Sequence, residues 1–317
     1  MTRKKFFLIV LSAVLTFAVF GQEYDPEKDF TTQKSSDGKS LVITGYTGMN
    51  TNIRIPPQIQ NKPVAAIGSS AFTGKNLTGV IIPHGVTVIG KGAFMANKLT
   101  NVIIPESVTV IGGGSFMENQ LTSVTIPDSV VFIGESAFSK NQLTNVKISN
   151  SVTSLTFDVF SHNKLASVTI PDSVTAVRAQ AFWDNQLTSV NIPEKVTLIH
   201  ERAFEKNKLT AVTLPNSVNF LGERAFADNP LNTVTISDNV NALDVNVFTS
   251  SFKTVSKVNI GSNVKLYFEN QPASRPDYLA DKDSNASWAG FKNMYDAKGR
   301  TAGTYTLNKG EWSVRPR

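Results

Sequence analysis

The sequence predicts a mainly β solenoid of about nine 22-residue coils, with a parallel sheet, an N-terminal strand cap and a C-terminal β-hairpin cap. Three observations carry that fold class. Phenylalanine recurs every twenty-two residues without slippage, at Phe72, Phe94, Phe116, Phe138, Phe160, Phe182, Phe204, Phe226 and Phe248. Within most periods a Val-x-Ile pair runs up to a proline, as in Val124-Thr125-Ile126-Pro127. An asparagine follows most of the phenylalanines by three residues, from Asn97 to Asn229. A fixed period of this size marks a repeat architecture and outranks local propensity. Each repeat touches only its neighbours, so a 317-residue chain need not divide into ordinary domains.

In chain order, residues 1–21 have the layout of a secretory signal peptide: Arg3, Lys4 and Lys5, then an apolar run from Phe6 to Phe20, then Gly21. That run is shorter than the roughly 20 residues that span a bilayer. This favours cleavage over anchoring, after Gly21 or, as second choice, in the Ala18 region. Residues 22–40 are polar and charged and read as a loose leader. Residues 41–66 form an atypical first coil: a strand over Leu41 to Tyr46, a turn at Gly48 to Asn50, then Ile53-Arg54-Ile55-Pro56-Pro57, with a five-residue insertion before Val64. Repeat arrays need such modified terminal units.

The regular array is expected over residues 67–261. Leucine and valine rows (Leu121 and Val124 in one coil, Leu143 and Val146 in the next) alternate with small polar residues, as in a strand with one buried face. Proline closes the strand because it has no N–H for the ladder; Ser149 and Ser237 replace it twice. A second apolar pair follows, such as Val130 and Ile133, and then a glycine row at Gly68, Gly90, Gly112, Gly134 and Gly222. Glycine there suggests a bend with positive φ. Thr156, Arg178, His200 and Asp244 take its place in other coils. The asparagine row suits left-handed corners and could bond side chain to side chain up the stack. Stacked strands about 4.8 Å apart give an array on the order of 40 Å long.

After Phe248 the phase slips by two, since Val258 and Ile260 lie twenty-four residues beyond Val234 and Ile236. Residues 262–317 are irregular and basic. Phe291 to Tyr295, a turn at Asp296 to Gly299, Arg300 to Leu307 and Glu311 to Val314 read as a hairpin or three-strand cap over the exposed sheet edge.

The repeat Leu-x-x-Val-x-Ile-Pro-x-Ser-Val-x-x-Ile-Gly-x-x-Ala-Phe, as at Leu121 to Phe138, resembles the BspA-like (treponemal-type) bacterial leucine-rich repeats over roughly residues 41–261. That family often has cysteine where this chain has the corner asparagine. The resemblance implies a leucine-rich-repeat solenoid and an exported surface protein. It also implies a role in adhesion to host matrix proteins, other bacteria or epithelial cells.

Composition narrows the chemistry. The chain has no cysteine, hence no thiol nucleophile, disulfide or lipid-bearing cysteine. Residues 22–251 carry 17 basic and 19 acidic groups and residues 252–317 carry 11 and 6, so the high pI belongs to the tail. A nearly neutral array does not suit nucleic acid. The basic tail could hold an acidic envelope polymer. His84, His162 and His200 lack metal-ligand spacing, and His200-Glu201 has no second histidine to complete a zinc helix motif. Glu106, Asp128, Asp172, Glu194 and Asp238 could suggest calcium, but Asn150 and Asn216 interrupt the row. No catalytic constellation emerges, so the expectation is a non-enzyme without cofactor or metal.

Binding is expected on surface rows. Between the buried strand residues lie Ile81, Ile103, Thr125, Lys147, Thr169, Asn191, Thr213 and Thr235. Beside them run small residues from Gly79 to Thr233. On the second segment Val88, Val110, Phe132, Leu198 and Phe220 are either core or an apolar patch, where Ser154 and Ala176 are small. Trp183 is a further hot-spot candidate. The phenylalanine ladder is read as core. The partners expected are host matrix or bacterial surface proteins, with a periplasmic or envelope scaffold as the alternative role.

Overall fold

The computed structural model describes residues 23–240, 242–249, 251, 255–262, 264–267, 291–308 and 311–316. The signal-like stretch and most of residues 263–290 lie outside them. The described chain is a stack of short-strand coils with very little helix, as the repeat predicts. Face one carries the Val-x-Ile strands, such as Ser123–Thr125 paired in parallel with Asn145–Lys147. Face two carries the second apolar pair, such as Val88–Ile89 paired with Val110–Ile111. The phenylalanine turns close the third side.

All nine ladder phenylalanines are fully buried. Their rings stack nearly parallel, with centroids 5.1–5.9 Å apart and planes 8–20° apart. Each ring contributes roughly 1.5–3 kcal/mol by burial. The turns also ladder through the backbone. The Phe116 N–H donates to the Ala137 carbonyl of the next coil, and the Phe138 N–H to that of Val159. Positive φ occurs two residues before and two after each ladder phenylalanine from Phe72 to Phe226, as at Ser136 and Lys140 around Phe138.

It does not occur at the glycine row, contrary to expectation. Those glycines serve close approach instead. A Cβ on Gly90, Gly112, Gly134 or Gly222 would meet the backbone of the preceding coil at 2.2–2.7 Å. Where glycine gives way to a larger residue, the coils adjust. The Gly134 N–H donates to the Ile111 carbonyl at 2.7 Å, but one coil later it is the Thr156 hydroxyl that donates to the Ile133 carbonyl, at 3.0 Å. Phe132–Ile133 and Ser154–Leu155 do not pair. The next step from glycine to a side chain, Gly222 to Asp244, behaves alike: Phe220–Leu221 and Ala242–Asp244 do not pair.

The parallel sheet is therefore interrupted rather than continuous. From the coil of Ile103 to that of Thr233, each interface is strand-paired on one face only. The coils of Thr125 and Lys147 pair on face one. The three following interfaces pair on face two, through Ser154–Leu155, Ala176–Val177, Leu198–Ile199 and Phe220–Leu221. Pairing returns to face one between Ala211–Thr213 and Thr233–Ile236.

The asparagine row is structural, but its side chains do not bond to one another. The Asn141 amide donates to the carbonyls of Phe116 and Phe138, at 2.9 and 3.2 Å. Its oxygen accepts the Leu121 N–H at 3.0 Å. Each asparagine thus ties its coil to the preceding one. At the last step Ser251 takes over, its hydroxyl donating to the Phe226 carbonyl and accepting the Asn229 N–H.

Both ends are covered. The leader is ordered from residue 23, not loose. Phe30–Lys34 pairs antiparallel with Leu41–Tyr46, and buried Phe30 packs on Tyr46 and Phe72. At the other end the hairpin Gly303–Asn308 and Glu311–Pro316 adds antiparallel to Lys257–Ile260. Residues 291–297, read from sequence as a strand, form a short helix. Phe291 and Tyr295, one turn apart on it, pack with Tyr305, and Phe291 also meets Trp312. The Tyr295 hydroxyl donates to the Gly261 carbonyl and accepts the Val264 N–H, joining cap to array.

Candidate protein-binding face

Strand alternation decides which side chains face one presents. Val80, Val102, Val124, Val146, Val212 and Val234 point inward and are buried. Ile81, Ile103, Thr125, Lys147, Thr169, Asn191 and Thr213 are exposed, and Thr235 is half-buried. The row predicted from sequence thus lies on one surface. Thr169 and Asn191 sit where strand pairing is interrupted, and their neighbours Val168 and Val190 are only half-buried.

The row is chemically uneven. Ile81 is 45% and Ile103 76% exposed, while the remaining positions are Thr, Lys or Asn. Ile81 and Ile103 make a single parallel bridge and line a concavity of 610 Å³ with Pro57, Pro83 and Pro105. A hollow of 270 Å³ lies on the other side of Ile103, toward Thr125, at an interface unpaired on this face. Ile103 thus stands as an exposed apolar side chain between two hollows.

Two lining residues were missed from sequence. Tyr24 and Arg54 edge the concavity, with the Arg54 guanidinium 5.3 Å from the Tyr24 ring centroid. Asp25 holds them there. Its buried carboxylate accepts the Asn50 amide and the Arg54 N–H, both at 2.6 Å. The Asp25 N–H in turn donates to the Arg54 carbonyl. An acidic residue next to an aromatic in the leader was the available signal, but its partners lie more than twenty residues on.

Trp183 does not join this face. It is half-buried on the phenylalanine-turn side, edge-on to His162 at 4.5 Å and under Lys206 at 5.2 Å. His162 bonds Asp184 at 2.8 Å, His200 meets Arg178, and His84 lines the concavity. Asp128 accepts the Asn150 N–H and side-chain amide, which hold its carboxyl below the usual carboxylate range. It stabilises a corner between coils. Among the described residues no group of three or more His, Cys, Asp or Glu converges as metal ligands would. No helix among them is long and apolar enough to cross a membrane. The outward row of face two is a surface, not core: Phe132 and Phe220 are exposed, and Val88, Val110 and Leu198 half-buried.

Comparison with known proteins agrees with this architecture. The fold is similar to that of a leucine-rich repeat protein from Bacteroides ovatus, at 21% identity over 75% of each chain with a TM-score of 0.51. A leucine-rich cell surface protein from Faecalibacterium prausnitzii is 21% identical over 79% of this chain and 96% of its own, with a TM-score of 0.45. The pneumococcal vaccine antigen PcpA is 18% identical over 74% and 71%, with a TM-score of 0.41. No curated protein matches the sequence. Residues 65–188 and 175–271 match the BspA type leucine-rich repeat region, in six copies. The chain belongs to the BspA-type leucine-rich repeat family, whose repeats support protein–protein binding.

Proposed function

We propose that this is an exported, non-enzymatic adhesion protein that binds host matrix or bacterial surface proteins through face one. The observation that carries the reading is the pair Ile81 and Ile103, exposed beside a 610 Å³ concavity in an otherwise polar row. Exposed apolar side chains at a concave surface favour a protein partner over solvent. Thr125 to Thr235 extend the surface with small polar groups suited to a rim. The basic and apolar N-terminal stretch supports export.

Purified protein, applied to a panel of immobilised matrix proteins and bacterial surface extracts, is expected to bind at least one saturably. Uniform absence of binding would count against adhesion. Protease treatment of intact cells tests location. Loss of the protein supports surface display, whereas protection would favour an envelope scaffold.

A further inference from the structure

Face two holds a second feature, opposite in origin to the first. Its row runs Phe132, Ser154, Ala176, Leu198; the small, half-buried Ser154 beside exposed Phe132 leaves a notch, and Ala176 after it is buried. The coils also part here, because Thr156 follows Gly134 at the bend and the strands of Phe132 and Ser154 do not pair. Side-chain size and backbone opening together leave a cleft of 460 Å³. Phe132 and Phe157, 50% and 41% exposed, present apolar surface to it.

The charged groups of the cleft are arranged along the stack. Arg178 is exposed, and its guanidinium donates to His200 Nε2 at 3.2 Å. Among the described residues it has no carboxylate within ion-pair distance. Glu135, also exposed and without an ion pair, lies at the other end, two coils away or about 10 Å along the axis. In an extended chain side chains two positions apart point the same way, so three same-facing residues span about 13 Å, enough to reach both charges. The lining sets one apolar notch between two charges of opposite sign, which complements a peptide bearing an acidic, an apolar and a basic side chain better than a neutral sugar ring.

We infer that this cleft is a second docking site, for an extended peptide segment of a protein partner. The segment carries an apolar side chain flanked, two positions to either side, by a basic and an acidic residue, so that all three point the same way. The apolar group seats over Ser154 between Phe132 and Phe157, the acid meets Arg178 as a fork of charge-assisted bonds, and the base meets Glu135. The inference rests on the protein-binding reading but uses a different face, so the two can fail separately.

The test uses the full chain and a fluorescent peptide containing Lys-Ala-Phe-Ala-Glu, with Lys-Ala-Ala-Ala-Glu, Lys-Ala-Phe-Ala-Lys and Glu-Ala-Phe-Ala-Glu as controls, read by anisotropy. Saturable binding is expected for the first peptide, weakened at least ~10-fold in each control. Arg178→Gln should weaken it by a similar factor, and Ser154→Phe, which fills the notch from an outward position, should abolish it. Melting of each variant checks that the array is folded. Ile103→Asp on face one should leave this binding unchanged. Absence of binding to the first peptide, equal binding by the Ser154→Phe and Arg178→Gln variants, or binding of a neutral glycan in its place would each overturn the proposal.

Discussion

Asn141 illustrates how single residues hold this stack together. Its amide bonds carbonyls in two coils and its oxygen accepts a backbone N–H, all in buried surroundings. Asn141→Ala leaves those groups unsatisfied and should cost about 3 kcal/mol, measured by urea unfolding. Asn141→Asp restores the acceptor but sets a carboxylate against two carbonyls, so it should be no better than alanine. Phe138→Ala removes a ring stacked on both sides and should cost about 3–5 kcal/mol. The identity and burial of these residues were legible in the sequence because inward positions repeat with the period. The asparagine's partners were not. The corner position is visible in one coil, but the bonds reach the one before it.

The element that governs local geometry is the bend after the second apolar pair. Glycine there lets coils approach; the step to Thr156 opens face two. Thr156→Gly should restore pairing between Phe132–Ile133 and Ser154–Leu155. Hydrogen exchange would report this as increased protection of the residue 156 amide, and unchanged exchange would show that the opening has another cause. The glycine-to-threonine change was plain in the sequence. Its consequence was not, because the added Cβ acts on the neighbouring coil's backbone rather than its own φ. The C-terminal helix was misread for a related reason. Phe291 and Tyr295 share one face of a single turn, a pattern too short to separate from a strand by periodicity.

That cap also has a pH signature. Burial pushes the Tyr295 hydroxyl up to about 12. The neutral form is favoured in the folded state, so its contribution is complete below the ordinary tyrosine value near 10. It is lost as the pH rises through about 12. At the other extreme, Lys292 and then Arg300 bond Asp296 and hold its carboxyl below its usual range. That contribution is lost as the pH falls through the lowered value. Thermal melts are expected to show alkaline loss of cap stability in the wild type. Tyr295→Phe should be less stable at neutral pH and show a smaller alkaline step, the rest coming from buried Tyr305 and Tyr46, which burial also raises.

Across the whole molecule, the aromatic ladder runs from Phe30 and Tyr46 through Phe248, and a second aromatic cluster closes the C-terminal end. Because interfaces from the coil of Ile103 onward are zipped on one face only, the stack opens on one side or the other. The 270 Å³ hollow beside Ile103 and the 460 Å³ cleft lie at such openings, whereas the 610 Å³ concavity lies over paired strands. The solenoid and the outward rows could be read from periodicity alone. The hollows could not, since they depend on which neighbour each coil abandons. Nor could the placement of Tyr24, which depends on Asp25 clamping the leader to a strand far along the chain.

The central claim, that face one binds protein through Ile81 and Ile103, is tested most directly by the double variant Ile81→Asp, Ile103→Asp. Both side chains point outward, so the array should stay folded, with a modest fall in melting temperature because the two carboxylates face each other across the Ile81–Ile103 bridge. Binding to whichever matrix or bacterial surface protein the wild type captures should fall at least ~10-fold, as loss of an interface anchor predicts. Undiminished binding by the folded double variant would contradict the claim.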